Sequence, residues 1–381
     1  MSGRKRVVVK VGSSLLANED RLTPRFGFMQ RLLEDIARLR DEGYDVILTS
    51  SGAVALGLNT VGVSRADAGV SDKQAAAACG MPLLLNAYKQ VGHEYGFEIA
   101  QILLTLGDFE DHRRFLNTRN TVNRLLKSRI MPIVNENDTI TTEEIRVGDN
   151  DRLAAKIAQM VEADYFIMLT SVDGLYDRDP SEEGAQLVEE LHDVNEYLEA
   201  ASGISELGSG GMLTKLQAAN MAQNAGCTTF IANGEADYPI TSVMHGERRC
   251  TKCIANASPD SLWETWLADR LQRAGILVIT DEAAARIDSD EPIDRKDVVD
   301  VDGDFSRGDV LHIYDKEGNE LARGLSDFTS DETRVMINNQ DMDAEKLLGY
   351  KTSGEIIRPE NLVILENRHL PWETPGSVAT G

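Results

Sequence analysis

Short apolar runs recur along the first two thirds of the chain, each followed by a polar or amphipathic stretch. This alternation constrains the fold more than any other feature. Arg6–Val11, Asp45–Thr49, Glu98–Leu104, Ile130–Asn135, Tyr165–Leu169 and Thr228–Ala232 are rich in Val, Ile and Leu, and most end in small or polar residues. They read as buried strands, since a strand covered on both faces needs no polar alternation. Between them, Pro24–Arg40 carries Phe28, Leu32, Leu33, Ile36 and Leu39 at helical spacing and stops at Gly43. Asn150–Val161 and Thr214–Ala225 follow the same pattern, the second ending at Gly226. The alternation predicts an α/β fold, a mostly parallel sheet sandwiched by helices, with ligands at the carboxyl ends of the strands.

From about residue 275 the texture changes. Gly275–Thr280, Val298–Val301, Asp309–Tyr314, Glu320–Leu325 and Leu362–Leu365 are short strands, with turn signals at Asp302-Gly303 and Glu317-Gly318-Asn319. The expected organisation is a catalytic domain over 1–257, a linker helix over 258–274 opened by Ser258-Pro259-Asp260, a small mostly-β domain over 275–367 and a tail over 368–381. The length of 381 residues agrees, at roughly 100–200 residues per domain.

No apolar run approaches the roughly 20 residues that cross a bilayer. The start, MSGRKR then VVVKVG, has too short an apolar stretch for a signal peptide. Four cysteines make no disulfide scaffold, so a reducing cytoplasm is expected. The net charge of −24 opposes a general nucleic-acid or anionic-membrane binder.

The chemistry-bearing residues follow the strands. Lys10-Val11-Gly12-Ser13-Ser14 offers an ammonium and backbone N–H groups to an anion, though a tight turn with a surface lysine fits as well. Thr49-Ser50-Ser51-Gly52 lets a ligand approach the backbone; helix capping by a serine is the plainer reading. Asn135-Glu136-Asn137-Asp138 places four polar side chains after an apolar run, and Gly148-Asp149-Asn150-Asp151 opens a helix. Gly208-Ser209-Gly210-Gly211-Met212-Leu213-Thr214-Lys215 combines glycines, a helix start and a lysine, the parts that hold a polyphosphate. It is not a Walker A loop, and no GxGxxG follows the first strand. Cys250-Thr251-Lys252-Cys253 is a lone CxxC without the second ligand pair that zinc wants.

Together, VVVKVGSS, TSSGAVALG, QILLT, RFLNTRNT, PIVNENDT, RVGDNDRLAA, LTSVDGLYDRDP and GSGGMLTKLQAA resemble, in order, the glutamate 5-kinase family of the amino-acid kinase superfamily. The resemblance runs from Val8 to about Glu366. The C-terminal part, with DFSRGDV, ARGLS, LGY and EIIRPENLVI, is similar to a PUA domain. This implies transfer of the γ-phosphoryl of ATP to the side-chain carboxylate of L-glutamate, the first step of proline biosynthesis. It also implies Mg²⁺ carried with ATP, feedback inhibition by proline and a homo-oligomer, either dimer or tetramer. The product would pass to a glutamyl phosphate reductase.

Carried over by resemblance, Lys10 and Lys215 converge on the phosphoryl group and Asp151 orients them. Ser51, Asp138 and Asn150 bind the acceptor, with Asn135 and Asp149 close by. Gly12, Ser13, Thr170, Ser171, Ser209, Gly210, Gly211, Met212, Leu213 and Thr214 join the two lysines around ATP. An acid such as Asp138 suits a free α-ammonium, which favours glutamate over its N-acetyl derivative. Departures are Ser171, where many relatives have Asp, and RRCTKCI around Arg248–Ile254, which leaves the local strand end in doubt.

PUA domains elsewhere bind RNA. Residues 274–381 hold 24 acidic and 11 basic side chains, a net of −13, so a regulatory or assembly role is favoured. The alternatives are another amino-acid kinase, acting on N-acetylglutamate, aspartate or carbamate, and an RNA-binding protein with a vestigial kinase half.

Overall fold

The computed structural model describes residues 4–18, 23–109, 112–140, 149–178, 180, 182–195, 197–198, 211–256, 274–289 and 291–365. The expected linker helix and tail lie outside them, as do Gly148, Ser209 and Gly210. The chain divides into two compact units, with the break between Leu262 and Trp263.

The first unit begins with β1 (Arg6–Val11), a one-turn helix α1 (Ser13–Leu16), the two-residue strands β2 (Ala17–Asn18) and β3 (Thr23–Pro24), and helix α2 (Phe26–Asp41). Next come β4 (Asp45–Thr49), α3 (Ala53–Val61), α4 (Val70–Glu94), β5 (Ile99–Leu104), α5 (His112–Lys127), β6 (Met131–Glu136) and α6 (Asp149–Met160). The remainder is β7 (Tyr165–Thr170), β8 (Glu190–Leu191), α7 (Gly211–Asn224), β9 (Thr228–Asn233), α8 (Pro239–Met244) and β10 (Thr251–Cys253). Eight of these ten strands form one sheet in the order β5-β6-β4-β1-β7-β9-β10-β8, and β2 pairs with β3 apart from it. All neighbours from β5 to β9 pair in parallel, while β10 pairs antiparallel with β9 and β8 parallel with β10, so these last two run against the rest. Each of the six expected strands forms, two of them without a shift of boundary.

The sheet has two cores. Val7, Val9 and Val11 of β1 point to the side packed by α2 and α4, and Val8 points to the side packed by α6 and α7. Side chains alternate with period two along a strand, so Lys10 leaves the sheet on the α6 and α7 side. Its own partner residues in the neighbouring strands are Thr49 and Met168.

Helix α4 is absent from the sequence reading. It is long, rich in alanine and interrupted by Pro82, and it buries residues toward both α3 and the sheet, which erases a clean apolar stripe. Its contact with α3 is backbone against backbone. A Cβ on Gly57 would lie 1.8 Å from the carbonyl oxygen of Ala76, and one on Gly80 would lie 1.8 Å from that of Ala53. The pairs Gly57–Ala76 and Ala53–Gly80 also show that the two helices run antiparallel.

Strand β10 settles the cysteine pair. Cys250 packs with the α2-side core and Cys253 with the α6-side core. Three extended residues separate their Cα atoms by about 10 Å, beyond the roughly 7 Å a disulfide spans. Burial pushes the Cys250 thiol up to about 11 and the Cys253 thiol up to about 12, so neither is a ready thiolate.

The second unit carries a five-stranded sheet in the order β13-β11-β14-β15-β17, built from β11 (Gly275–Ile279), β13 (Val298–Gly303), β14 (Val310–Tyr314), β15 (Glu320–Leu325) and β17 (Leu362–Ile364), and a separate antiparallel pair of β12 (Ile293–Asp294) and β16 (Glu355–Ile357). Strands β11 and β14 are parallel and the other neighbours antiparallel. Leu277, Ile279, Leu311, Ile313 and Ala322 form its core with Phe328, Met336 and Ile356.

The helix contact gives a paired test. Gly57→Ala should destabilise the protein by about 1–3 kcal/mol, because the added methyl meets backbone that cannot turn aside. Gly27→Ala in α2, where a Cβ meets nothing within 4 Å, should be neutral or stabilise by up to about 1 kcal/mol. Denaturant midpoints of the two variants check both signs.

Candidate active site

The carboxyl ends of β1, β4, β6 and β7 open into one pocket of about 380 Å³, a size typical of small-molecule sites. Lys10, Gly12 and Ser13 follow β1, and Ser51 follows β4. Asn135 and Asp138 come from the end of β6, Asn150 and Asp151 from the first turn of α6, Thr170 from β7 and Lys215 from α7. The structure thus gathers in one cavity residues spread over 205 positions of sequence, from Lys10 to Lys215.

One carboxylate ties the centre together. Asp151 is 1% exposed, with Lys10 Nζ 2.6 Å from its Oδ1 and Lys215 Nζ 3.3 Å from its Oδ2. Thr214 Oγ1 donates to the same Oδ2 at 3.1 Å. Lys215 Nζ also donates to the carbonyl of Gly211 at 3.0 Å, across the first turn of its own helix. Burial acts to raise the Asp151 carboxyl, but the charges of Lys10 and Lys215 outweigh it and hold the group below its usual range. Burial is the main cause that lowers the Lys10 ammonium; Asp151 opposes this and Lys215 adds to it. Two cations share one anion, so the cluster keeps a net positive charge facing the pocket.

The rest of the lining includes acidic and polar side chains. Asn135, 3% exposed, is fixed by its neighbours: its Oδ1 accepts from the N–H of Glu136 at 3.0 Å and its Nδ2 lies 3.4 Å from Met81 Sδ. Asn150 Oδ1 is buried with no hydrogen-bond partner among the described residues, an acceptor waiting for a donor. Asp138 and Ser51 are each 8% exposed. Ser51 is not a helix cap. That position is Gly52, whose φ of 97° lies in the left-handed region and whose lack of a side chain leaves the first N–H groups of α3 uncapped toward the pocket.

Not every expected residue lines this cavity. Ser171 is exposed and outside it, and Leu213 is 38% exposed on α7. Gly211 opens α7 and Met212 packs toward the α6-side core, while Asp149 opens α6. Sequence reasoning missed the wall supplied by α3, α4 and the turn between them, with Leu58, Arg65, Ala68 and Lys73. No motif marks them; only the length of the unrecognised α4 could have pointed there. Among the described residues, no group of three or more His, Cys, Asp or Glu side chains could hold a metal ion.

Positive charge held by one buried carboxylate, beside a helix N-terminus and a glycine turn at the strand ends, is the apparatus for moving a phosphoryl group. This fold and site define a phosphotransferase. Residues 5–233 match the amino acid kinase family model and residues 275–343 the PUA domain model. A glutamate 5-kinase of Paramagnetospirillum magneticum is 38% identical, covering 96% of this chain and 99% of that protein. Those of Rhodospirillum rubrum and Thermoanaerobacter sp. are 38% and 39% identical, over 94% and 95% of this chain and 96% and 98% of theirs. The chain belongs to the glutamate 5-kinase branch of the amino acid kinase family and carries a PUA domain behind the kinase part.

The buried triad gives a stability prediction. Asp151→Asn leaves two buried ammonium groups without their counter-charge and should cost about 3–5 kcal/mol. The folded Asp151 carboxyl is depressed, so its contribution is present above the unfolded carboxylate value of about 3.9 and is lost as pH falls through the folded one. Urea unfolding of the wild type and the variant should therefore differ most at neutral pH and converge only as pH falls through the depressed value of the folded Asp151 carboxyl.

Proposed function

We propose that the protein transfers the γ-phosphoryl group of ATP to the side-chain carboxylate of L-glutamate, giving L-glutamyl 5-phosphate and ADP. The observation that carries this reading is the Lys10–Asp151–Lys215 cluster facing a pocket whose other walls hold Asp138 and the unpaired Asn150 Oδ1. A carboxylate acceptor is already ionised at neutral pH and needs no general base. One of its oxygens attacks the γ-phosphorus, and the bond from that phosphorus to the β–γ bridging oxygen breaks as ADP leaves. The barrier is repulsion between two anions, and the site's task is to supply positive charge and alignment.

Lys10 and Lys215 flank the phosphoryl in this reading, and Asp151 keeps both ammonium groups aimed. Asp138 and Asn150 Oδ1 receive the α-ammonium, with Ser51 and Asn135 beside them and Asp149 at the same helix start. Gly12, Ser13, Thr170 and the segment 209–215, whose residues from Gly211 onward open α7, accommodate the nucleotide, with Ser171 further out. Mg²⁺, bound by the ATP phosphates, would neutralise charge on them.

The product would enter proline biosynthesis in the cytoplasm through a glutamyl phosphate reductase. Proline, an amino acid with a carboxylate of its own, would compete near the acceptor pocket. A homo-oligomer is part of this reading. The net charge of −13 on residues 274–381 supports a regulatory or assembly role for the PUA domain over RNA binding. No helix among the described residues is long and apolar enough to cross a membrane.

Glutamate-dependent ADP release tests the reading. Lys215→Ala should lower kcat by about 10²–10³-fold, the cost of removing one charge-stabilising donor. Equal rates would exclude the lysine clamp, and activity confined to N-acetylglutamate, aspartate or carbamate would exclude glutamate as acceptor. Added proline should raise the apparent KM for glutamate; a KM that is flat at every proline concentration rejects feedback at this pocket.

A further inference from the structure

A third ammonium lines the pocket and takes no part in the phosphate clamp. Lys73 stands in the first turn of α4, half-buried. Lys10 and Lys215 are both engaged with Asp151, whereas the Lys73 ammonium makes no ion pair or hydrogen bond with any described residue. The adjacent acid does not serve it: the Asp72 carboxylate folds back to accept from the N–H of Gly69 at 3.0 Å. The Lys73 ammonium is available to an anion that enters the pocket.

Its position follows from the helix pair. Gly80 abuts Ala53 at the α3 start, and the helices run antiparallel. Lys73 lies seven residues before Gly80, about 10 Å along α4. It therefore approaches the pocket from beside Leu58, toward the far end of α3 from Gly52. The cavity has positive charge from Lys10 at the end of β1 and Lys215 in α7, and again from the helix wall at Lys73, with Arg65 in the turn between α3 and α4. Acceptors for an ammonium lie in the same lining at Asp138 and Asn150. A molecule that satisfies all three carries two carboxylates and one amine.

We infer that Lys73 is a specificity-determining residue of the acceptor subsite, binding the α-carboxylate of an α-amino dicarboxylic acid so that the second carboxylate faces Lys10 and Lys215. The inference rests on the acceptor reading above. It assigns discrimination to α4 rather than to the strand-end motifs. An amine-bearing monocarboxylate such as 4-aminobutyrate, which is glutamate without its α-carboxylate, keeps the reacting group and the ammonium but gains nothing from Lys73.

Steady-state kinetics of wild type, Lys73→Met and Lys73→Arg with glutamate and with 4-aminobutyrate provide the test. Lys73→Met should raise KM for glutamate by about 10- to 100-fold, as for loss of a charged hydrogen bond. Its kcat should move far less, KM for ATP should hold, and its weak use of 4-aminobutyrate should match that of wild type. Lys73→Arg keeps the charge and should recover most of the glutamate affinity. An unchanged KM for glutamate in Lys73→Met, a shift in KM for ATP instead, or equal damage in Lys73→Arg would overturn the assignment while glutamate remains the acceptor. A wild type that does not turn over glutamate at all would overturn the acceptor reading and Lys73's role with it.

Discussion

Everything in the catalytic half depends on where one buried carboxylate sits. Asp151 joins the end of β1, the start of α6 and the start of α7 through Lys10, Lys215 and Thr214. Three elements remote in sequence are thereby fixed at one point. The same contacts give two lysine side chains a shared counter-charge in a poorly solvated place. Architecture and electrostatics are not separable here, because the group that holds the elements in register also balances the charge that the lysines bring to the pocket.

The location of that charge resolves a conflict in the composition. A chain with a net charge of −24 repels anionic ligands at long range. Beyond a Debye length of about 10 Å, salt screens most of that repulsion. Inside the pocket, Lys10 at the end of β1, Lys215 of α7 and the uncapped N–H groups of α3 would act on an anion at contact distance, where screening is weak. Attraction is local and close, and the excess of acid is free to cover the rest of the surface.

The strands and the polar groups at their ends were legible because each is a local signal. Arg6–Val11 and Asp45–Thr49 form over the ranges read from their composition, and Lys10 follows from the period-two rule once Val8 is placed on the α6 side. Family resemblance supplied what spacing could not, namely that Lys10, Asp151 and Lys215 meet. Helix α4 was illegible because its alanines and glycines make contacts through backbone, which leave no apolar stripe to count. With α4 went Lys73 and Leu58, whose presence in the pocket is a tertiary fact. The CxxC misleads in the opposite direction: its spacing suggests a pair, while extended backbone sends the two thiols to different cores.

The seam between α3 and α4 has a consequence for how such a pocket can change. Where helices meet through side chains, a wall can shift by exchanging large residues for small ones. Here Gly57 and Gly80 already touch carbonyl oxygens, so nothing smaller exists to substitute and anything larger must push the helices apart. The wall behaves as a stiff plate. Variation in what the pocket accepts is thus confined to the side chains that project from that plate into the cavity, and new selectivity would arise by re-lining it rather than by reshaping it.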